Sequence, residues 1–174
     1  MGHLNIRIFG DPVLRMRALE VERFDAALRD LADDMLDTLR AAHGVGLAAN
    51  QVGVLKRLFV WEHGERHGVF VNPEVTETSE EVEILDEGCL SFPGLFYPNE
   101  RPLRARMQGY DVHGEPIEEV GEGMMARILL HELDHLNGIL FIDHLARHDR
   151  KEAMRRIRRG ELEWPVDHSP AAEL

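Results

Sequence analysis

The segment LLHELDHL, residues 129–136, constrains the fold more than any other part of the sequence. His131 and His135 stand four residues apart, with Glu132 directly after the first histidine, and no helix breaker occurs before the Asn-Gly pair that follows. The other positions are mostly leucine, which predicts a largely buried helix from Met124 to Asn137. An unpaired polar group inside a protein costs about 2–7 kcal/mol, so two histidines and a glutamate on a buried helix need an explanation.

The rest of the sequence predicts strands before this helix and one further helix at each end. Apolar residues recur every three or four positions from Phe24 to about Ala42, which predicts an amphipathic helix. RLFVW (57–61) and the GVFVN segment that begins at residue 68 are typical of short strands, and residues 73–110 continue as strands and turns. Strands followed by a buried helix predict an α+β domain, with mostly antiparallel sheets packed around the central HELDH helix.

Length and composition predict a single catalytic domain over residues 1–174, because no repeat, linker or composition shift divides the chain. Within it we expect a basic C-terminal helix at about 144–160 and a loosely ordered tail over 161–174. There is no apolar run of eighteen residues, so no membrane segment is expected. The N-terminus lacks the pattern of a signal peptide and the chain has a single cysteine, which together favour the cytoplasm.

The charge is distributed unevenly along the chain. The net charge of -12 argues against a general affinity for nucleic acid or anionic membranes. Residues 147–159, however, contain seven basic and two acidic residues, a local charge of +5. A solvated helix face is the usual role of such a run, and an anchor for a polyanion is the alternative.

The spacing in HELDH suits a metal site. Imidazoles at positions i and i+4 project from the same helix face, so His131 and His135 can converge on one metal ion. Glu132 is rotated by one residue and can lean over the open side of the metal. A surface helix with ordinary charge pairs could contain the same motif, but the leucines around it favour a buried metal site.

A catalytic metal site usually has three protein ligands, and the third is not adjacent to the first two. Glu152 and Glu161 lie downstream, but in the basic polar segment, which is a poor location for a ligand of a buried site. Cys89, within EGCLS, follows a strand-like segment and precedes a proline turn, where a thiolate could be presented rigidly. An inert buried cysteine is the alternative for this residue.

Three segments together carry a resemblance to a known family. GVGLAANQ (44–51), EGCLS (87–91) and HELDH (131–135), in this order and at these separations, resemble the three signature motifs of peptide deformylases. The resemblance covers roughly residues 4–145. It implies one divalent metal held by Cys89, His131 and His135 with water in the fourth position. It also implies Fe²⁺ as the working metal, with Zn²⁺, Ni²⁺ or Co²⁺ able to occupy the site.

The family reaction removes the formyl group from the N-terminal formyl-methionine of newly made polypeptides and releases formate. By resemblance, Glu132 takes the proton of the attacking water and passes it to the leaving amine. The side-chain amide of Gln51 and the backbone N–H of Leu90 are expected to stabilise the negative charge that develops on the formyl oxygen.

Charged residues near the motifs are candidates for a supporting role. Ligand histidines usually donate their second N–H to a carboxylate or carbonyl, and Glu87 and Asp134 are the candidate acceptors. We expect Glu87 to form a buried pair with Arg101 that braces the segment carrying Cys89. Ordinary surface charge is the alternative for both carboxylates.

The resemblance also implies an apolar pocket for the methionine side chain. Its expected substrate-binding residues are Val45, Gly46, Leu85, Leu90, Met124 and Ile128, although Met124 and Ile128 have a spacing that core residues would also show. Gly44 and Gly46 are expected to let the backbone approach an extended substrate, which pairs with this segment as an added strand. Arg127 and His43 depart from residues common in better-known members, and Arg127 is expected to make the pocket rim narrower or more polar.

Other functions stay open at this point. An HExxH motif alone would also fit a metallopeptidase that cleaves internal peptide bonds, although EGCLS argues against it. A noncatalytic binding protein could keep the fold, but would be expected to lose Glu132, Gln51 or a ligand. A phosphate-binding loop at GVGLAANQ is disfavoured, because the segment lacks a GK[ST] sequence and follows a helix. For the basic segment 147–159, the family's substrate suggests docking near the ribosome exit through RNA phosphates.

Overall fold

The structure, a computed structural model, describes residues 2–162. It contains three α-helices in this part of the chain, α1 (Ala26–Ala41), α2 (Met124–Leu136) and α3 (Arg147–Arg158). The strands are β1 (Gly46–Ala48), β2 (Leu58–His63), β3 (Arg66–Thr78), β4 (Val82–Gly88), β5 (Phe96–Pro102), β6 (Arg104–Tyr110) and β7 (Pro116–Glu122). The helices predicted from the sequence agree with these bounds to within a few residues. The predicted tail lies outside the described residues from position 163 onward.

The strands form two antiparallel sheets, which confirms the predicted α+β class. The larger sheet has the order β1-β2-β3-β6-β7, and β4 pairs with β5 in a separate hairpin. The register of β3 against β6 shifts at two places, the first between Val71 and Glu74. Asn72 lies at this first shift with a φ of 49°, and its side chain bonds the backbone N–H and C=O of Val21. These two bonds compensate for the ladder bonds that the bulge interrupts.

Helix α2 lies at the centre of the fold, as the sequence predicts. Its apolar side chains pack on residues of β2, β3 and β6, including Phe59, Phe70 and Met107. Gly123 caps the start of the helix with a φ of 62°, and Gly138 follows its end with a φ of 74°. A Cβ at Gly138 would lie 2.6 Å from the carbonyl oxygen of Arg15, so only glycine fits there. Both ends of the metal-motif helix are therefore fixed by local backbone requirements.

Helix α1 covers the other part of the larger sheet. The side chain of Asp25 caps it by accepting from the N–H of Leu28 at 3.0 Å. Its buried stripe, which includes Met35 and Leu39, packs against Leu47 of β1 and Leu58 of β2. This packing fixes β1 at the edge of the sheet. The GVGLAANQ segment contains this short strand, followed by a single 3-10 turn at Ala49–Val52.

A third core cluster joins the β4–β5 hairpin region to the C-terminal elements. Phe92, Leu95 and Tyr97 pack against Phe141 and against Ala153 of α3. Ala153 is the one residue of α3 that is buried, so the helix attaches by a narrow apolar contact and exposes most of its charged residues. No helix within residues 2–162 is long and apolar enough to cross a membrane.

Candidate metal centre

The three candidate ligands come together in the structure. Cys89 follows the last residue of β4, and its Sγ lies 3.2 Å from Nε2 of His135. One donor atom each from Cys89, His131 and His135 lies within 4.8 Å of the other two. A thiolate and two imidazoles at this separation are a donor set for Zn²⁺ or another late first-row divalent metal. The residues present therefore fit a mononuclear metal ion.

Glu87 orients the first histidine. Nδ1 of His131 donates to Oε2 of Glu87 at 2.8 Å, which leaves Nε2 to face the ligand cluster. Arg101 donates to both carboxylate oxygens of Glu87, at 2.8 and 3.1 Å. Burial alone would raise the pKa of Glu87, but the hydrogen bonds from His131 and Arg101 lower it well below its usual range. The expected buried pair of Glu87 with Arg101 is present.

Asp134 occupies a more distant position than expected. Its Oδ2 accepts from Arg101 at 2.8 Å and lies 2.9 Å from Nε2 of His144, so it holds Arg101 and contacts neither ligand histidine. This is a correction of its expected contact with a ligand. Glu87 already occupies Nδ1 of His131, and Asp134 is consecutive with His135, so the two side chains project about 100° apart.

The two histidines differ electrostatically. Burial and the neighbouring His131 lower the pKa of His135, which favours the neutral imidazole that a metal requires. For His131, burial alone would lower the pKa, but hydrogen bonds with Cys89 and Glu87 raise it.

The backbone C=O of His135 also accepts from the side chain of Asn50. The histidine face of α2 is thus tied to the 3-10 turn that follows β1.

Glu132 projects toward Gly46 of β1. It is 3% exposed, and its Oε2 has no hydrogen-bond partner among residues 2–162. Burial raises the pKa of Glu132 to about 7. A Cβ at Gly46 would lie 2.8 Å from both Cγ and Cδ of Glu132. A carboxylate that is buried, unpartnered and close to neutral pKa is typical of a general acid–base group.

Gly44 and Gly46, which were expected to let the backbone approach a substrate, both line the cavity and also lie close to side chains of this protein. A Cβ at Gly46 would collide with Glu132. A Cβ at Gly44 would lie 2.7 Å from Cδ1 of Leu90 and 2.9 Å from Cδ1 of Leu39. Both glycines therefore make room for side chains of this protein.

Gln51 lies against the Cys89 segment. Its Nε2 donates to Oγ of Ser91 at 3.1 Å and lies 3.6 Å from Sγ of Cys89. Its Oε1 accepts from the N–H of Ala48 at 2.9 Å, which fixes the amide so that its nitrogen faces the cysteine. The N–H of Leu90 donates to no backbone or side-chain acceptor in the described part of the chain. Two N–H donors thus lie beside Cys89: the amide of Gln51, which donates to Ser91 and to Cys89 itself, and the N–H of Leu90.

A cavity of about 580 Å³ opens beside these groups. Among the expected pocket residues, Val45, Gly46, Leu90, Met124 and Ile128 line it, together with His131 and Glu132. Leu85 does not line it. The consecutive residues of this segment that line the cavity begin one position later, at Asp86, so Leu85 lies just outside the lining.

The cavity also contains residues that sequence reasoning missed. These are Asp86, Pro93, Gly94, Phe96 and His63. Phe96 is 65% exposed and pairs across the hairpin with Gly88. A Cβ at Gly88 would lie 2.6 Å from Cδ1 of this ring, so the ring covers the strand next to Cys89. A glycine paired with an aromatic residue indicates that the ring packs over the glycine, but this pairing can be recognised only once the hairpin register is known.

Arg127 lines the cavity, at whose rim it was expected. It is only 3% exposed, and its Nη1 donates to Oε1 of Glu87 at 2.9 Å. It is therefore also part of the buried charge cluster behind His131. The sequence did not indicate these contacts, because the partners of Arg127 lie in β4 and β5, which are distant in sequence.

A buried glutamate with a free oxygen lines the same apolar cavity as Cys89 and His131 of the Cys–His–His cluster, an arrangement typical of a metal-dependent hydrolase. Comparison with known proteins identifies the family of hydrolases to which the chain belongs. The family described as polypeptide deformylase matches residues 3–151, and the chain belongs to this family. Its activity is that of the family, the hydrolytic removal of the formyl group from N-terminal formyl-methionine of newly made polypeptides.

Individual relatives agree along nearly the whole chain. The peptide deformylase of Acidothermus cellulolyticus is 50% identical over 159 residues, which cover 91% of this chain and 87% of the relative. That of Parafrankia is 46% identical over 175 residues, covering 100% of this chain and 94% of the relative. The crystal structure of the Ehrlichia chaffeensis enzyme in complex with actinonin matches with a TM-score of 0.88 and 37% identity, covering 94% of this chain and 100% of that one.

Proposed function

We propose that Cys89, His131 and His135 bind the single metal ion of this hydrolase, and that Fe²⁺ occupies the site in the cell. The proximity of the three donors supports the ligand set, and the Glu87 contact supports His131 as an Nε2 ligand. Zn²⁺, Ni²⁺ and Co²⁺ prefer similar donors and can replace iron. When bound, the metal would acidify a water molecule and polarise the formyl oxygen.

The ligand assignment has a direct test. Alanine at Cys89, His131 or His135 should reduce metal content far below one ion per chain after purification without added metal. His144→Ala serves as a control, because His144 is 40% exposed and its Nε2 contacts the outer carboxylate of Asp134. A Cys89→Ala protein that kept a full equivalent of metal would contradict the assignment.

Glu132 acts in this proposal as the proton carrier. Its free Oε2 accepts a proton from the attacking water and delivers it to the amine nitrogen as the C–N bond of the formamide breaks. A pKa near neutrality suits both halves of the transfer, since the same group must be base and then acid. The absence of a partner on Oε2 within residues 2–162 is the observation that supports this role.

Gln51 and Leu90 are the proposed donors to the developing oxyanion. Tetrahedral attack places negative charge on the formyl oxygen, and an N–H that points to that oxygen stabilises it. Nε2 of Gln51 uses one hydrogen for Ser91 and has a second one directed to the Cys89 side. Loss of one such donor typically costs about 3–4 kcal/mol in the transition state.

The methionine side chain of the substrate is proposed to occupy the cavity, against Val45, Met124 and Ile128. Among residues 2–162, strand β1 pairs only with β2 and is an edge strand, so its second edge can bind an extended peptide as an added strand. One peptide in formylated and unformylated forms tests the reaction type. We expect formate from the first and no cleavage of internal bonds in either.

We propose that residues 147–159 dock the enzyme to ribosomal RNA near the exit of newly made chains, in the cytoplasm. Arg147, Arg150, Lys151, Arg155 and Arg158 line one groove on α3 together with Met154. A row of cations on a single face suits contact with successive phosphates. The attachment of α3 through Ala153 leaves this face accessible.

A truncated protein tests the docking. A chain that ends after Leu145 should keep near-normal deformylation of a short formyl-methionyl peptide, because α3 contributes nothing to the cavity lining. It should lose salt-sensitive cosedimentation with ribosomes. Equal cosedimentation of the truncated and full-length proteins would contradict the docking and leave the segment as a solvated helix face.

A further inference from the structure

Arg127 lines the cavity, but neither the reaction nor an apolar pocket requires a buried guanidinium there. It lies on α2, one turn before His131, and is buried to the same degree as Glu132. A fully buried arginine is costly unless all its surroundings compensate for the charge. The pocket could be closed at this point by any apolar side chain of similar size, so the guanidinium requires another reason.

The contacts of Arg127 connect three elements. Nη1 donates to Oε1 of Glu87 and to the backbone C=O of Asn99, both at 2.9 Å. Nη2 donates to the backbone C=O of Glu83 at 2.9 Å. Glu83 and Glu87 belong to β4 and Asn99 to β5, whereas Arg127 belongs to α2. One side chain therefore ties the β4–β5 hairpin to the helix of the metal motif.

These contacts also complete the surroundings of Glu87. Its Oε2 accepts from His131 and Arg101, and its Oε1 accepts from Arg101 and Arg127. With Asp134 on the other side of Arg101, the cluster holds two carboxylates and two guanidinium groups and is balanced in charge. Removal of Arg127 would leave one carboxylate in excess next to a metal ligand.

The position of this cluster matters because the ligands come from two separate elements. Cys89 follows Glu87 by two residues at the end of β4, while His131 and His135 lie on α2. We propose that Arg127 is a positioning residue of the metal centre, which fixes the hairpin carrying the thiolate relative to the helix carrying the imidazoles. It also holds Glu87 against His131. The inference rests on the ligand assignment proposed above.

Metal retention tests this role more directly than activity does. The probe is the Co²⁺-loaded full-length enzyme, whose absorption spectrum reports the cysteine–metal bond and the ligand geometry. The rate of Co²⁺ loss to a chelator, measured well below the melting temperature, reports retention in the folded protein. The variants are Arg127→Met, which removes all three hydrogen bonds, and Arg127→Lys, which keeps the charge. Arg106→Met is the matched control, because Arg106 is 41% exposed and pairs with Glu77 and Glu118 far from the cluster.

We expect Arg127→Met to release Co²⁺ about 10–100-fold faster than the wild type, with a changed spectrum, since supporting contacts typically contribute that much to metal affinity. The release rate of Arg127→Lys should lie between those of Arg127→Met and the wild type, because one ammonium group can replace Nη1 but cannot also reach the carbonyl of Glu83. Arg106→Met should match the wild type.

Equal spectra and release rates for folded Arg127→Met and wild type would overturn the inference, even with a lowered melting temperature, and would leave Arg127 a stabilising residue only. If Arg127→Met does not fold, Arg127→Lys decides: faster release supports the role and a wild-type rate overturns it. Failure of the wild type to bind Co²⁺ would instead overturn the ligand assignment, and this inference with it.

Discussion

Gly46→Ala should disable the enzyme by displacing a single carboxylate. The added Cβ would lie 2.8 Å from Cγ and Cδ of Glu132, whereas carbon atoms in contact normally stay about 3.5–4.0 Å apart. The overlap is therefore about 0.7–1.2 Å. Gly46 is held in an antiparallel pair with Trp61, so the glutamate has to move. A displacement of about 1 Å at a catalytic group can cost about 10²-fold in rate.

The assay measures formate release from a short formyl-methionyl peptide, together with metal content and thermal unfolding. We expect kcat to fall by about 10²-fold while the metal content stays at one ion per chain, since the new Cβ contacts no ligand. Gly68→Ala is the control. Its Cβ would lie 2.8 Å from Nε1 of Trp61, which is a similar overlap away from the cavity. It should cost about 1–3 kcal/mol of stability with little change in kcat.

A double variant shows whether the effect acts through Glu132. If Gly46→Ala acts by displacing the carboxylate, it should add almost nothing to the loss caused by Glu132→Gln, because residues that act as a unit are not additive. Near-wild-type kcat for Gly46→Ala, or fully additive losses in the double variant, would refute the reasoning.

Three further predictions concern the metal centre and the fold. Glu132→Gln should keep its metal while formate release falls by about 10²–10⁴-fold, and substantial remaining activity would contradict the proton-carrier role. The iron form should lose activity in aerated buffer, through oxidation of Fe²⁺ or of Cys89, while a nickel-loaded sample should survive much longer; equal lifetimes would count against iron as the working metal. Burial alone would raise the pKa of Asp143, but hydrogen bonds from Arg15 and the N–H of Leu140 lower it. The ionised Asp143 therefore stabilises the folded protein above the ordinary pKa of 3.8, and this contribution is lost as the pH falls through the lowered pKa. Asp143→Asn should therefore lower the melting temperature more at pH 7 than at pH 3, and an equal loss at both would contradict this.

The sequence predicts the parts of the site that depend on local geometry. His131, Glu132 and His135 follow from helix periodicity, and Cys89 from its motif at the end of a strand. Their relative positions inside α2 are set by 3.6 residues per turn, so the spacing alone places two imidazoles on one face. The α+β class follows in the same way from the order of strand and helix patterns.

The parts that depend on long-range packing could not be predicted. Gly46 faces Glu132 across 86 positions of sequence, and no local pattern indicates that a missing Cβ leaves space for a carboxylate. Arg127 contacts Glu87 and the carbonyl of Asn99 only because the β4–β5 hairpin folds onto α2. Leu85 was misplaced for a related reason, since the side of the hairpin that faces the cavity depends on how the hairpin is seated.

The central claim is that one metal ion, bound by Cys89, His131 and His135, enables deformylation. Elemental analysis of protein purified anaerobically, measured on the same samples as formate release, tests it most directly. We predict one iron per chain, and formate release that falls in proportion as a chelator removes the metal and returns when Fe²⁺ or Ni²⁺ is added. Formate release that persists unchanged in fully metal-free protein would contradict it.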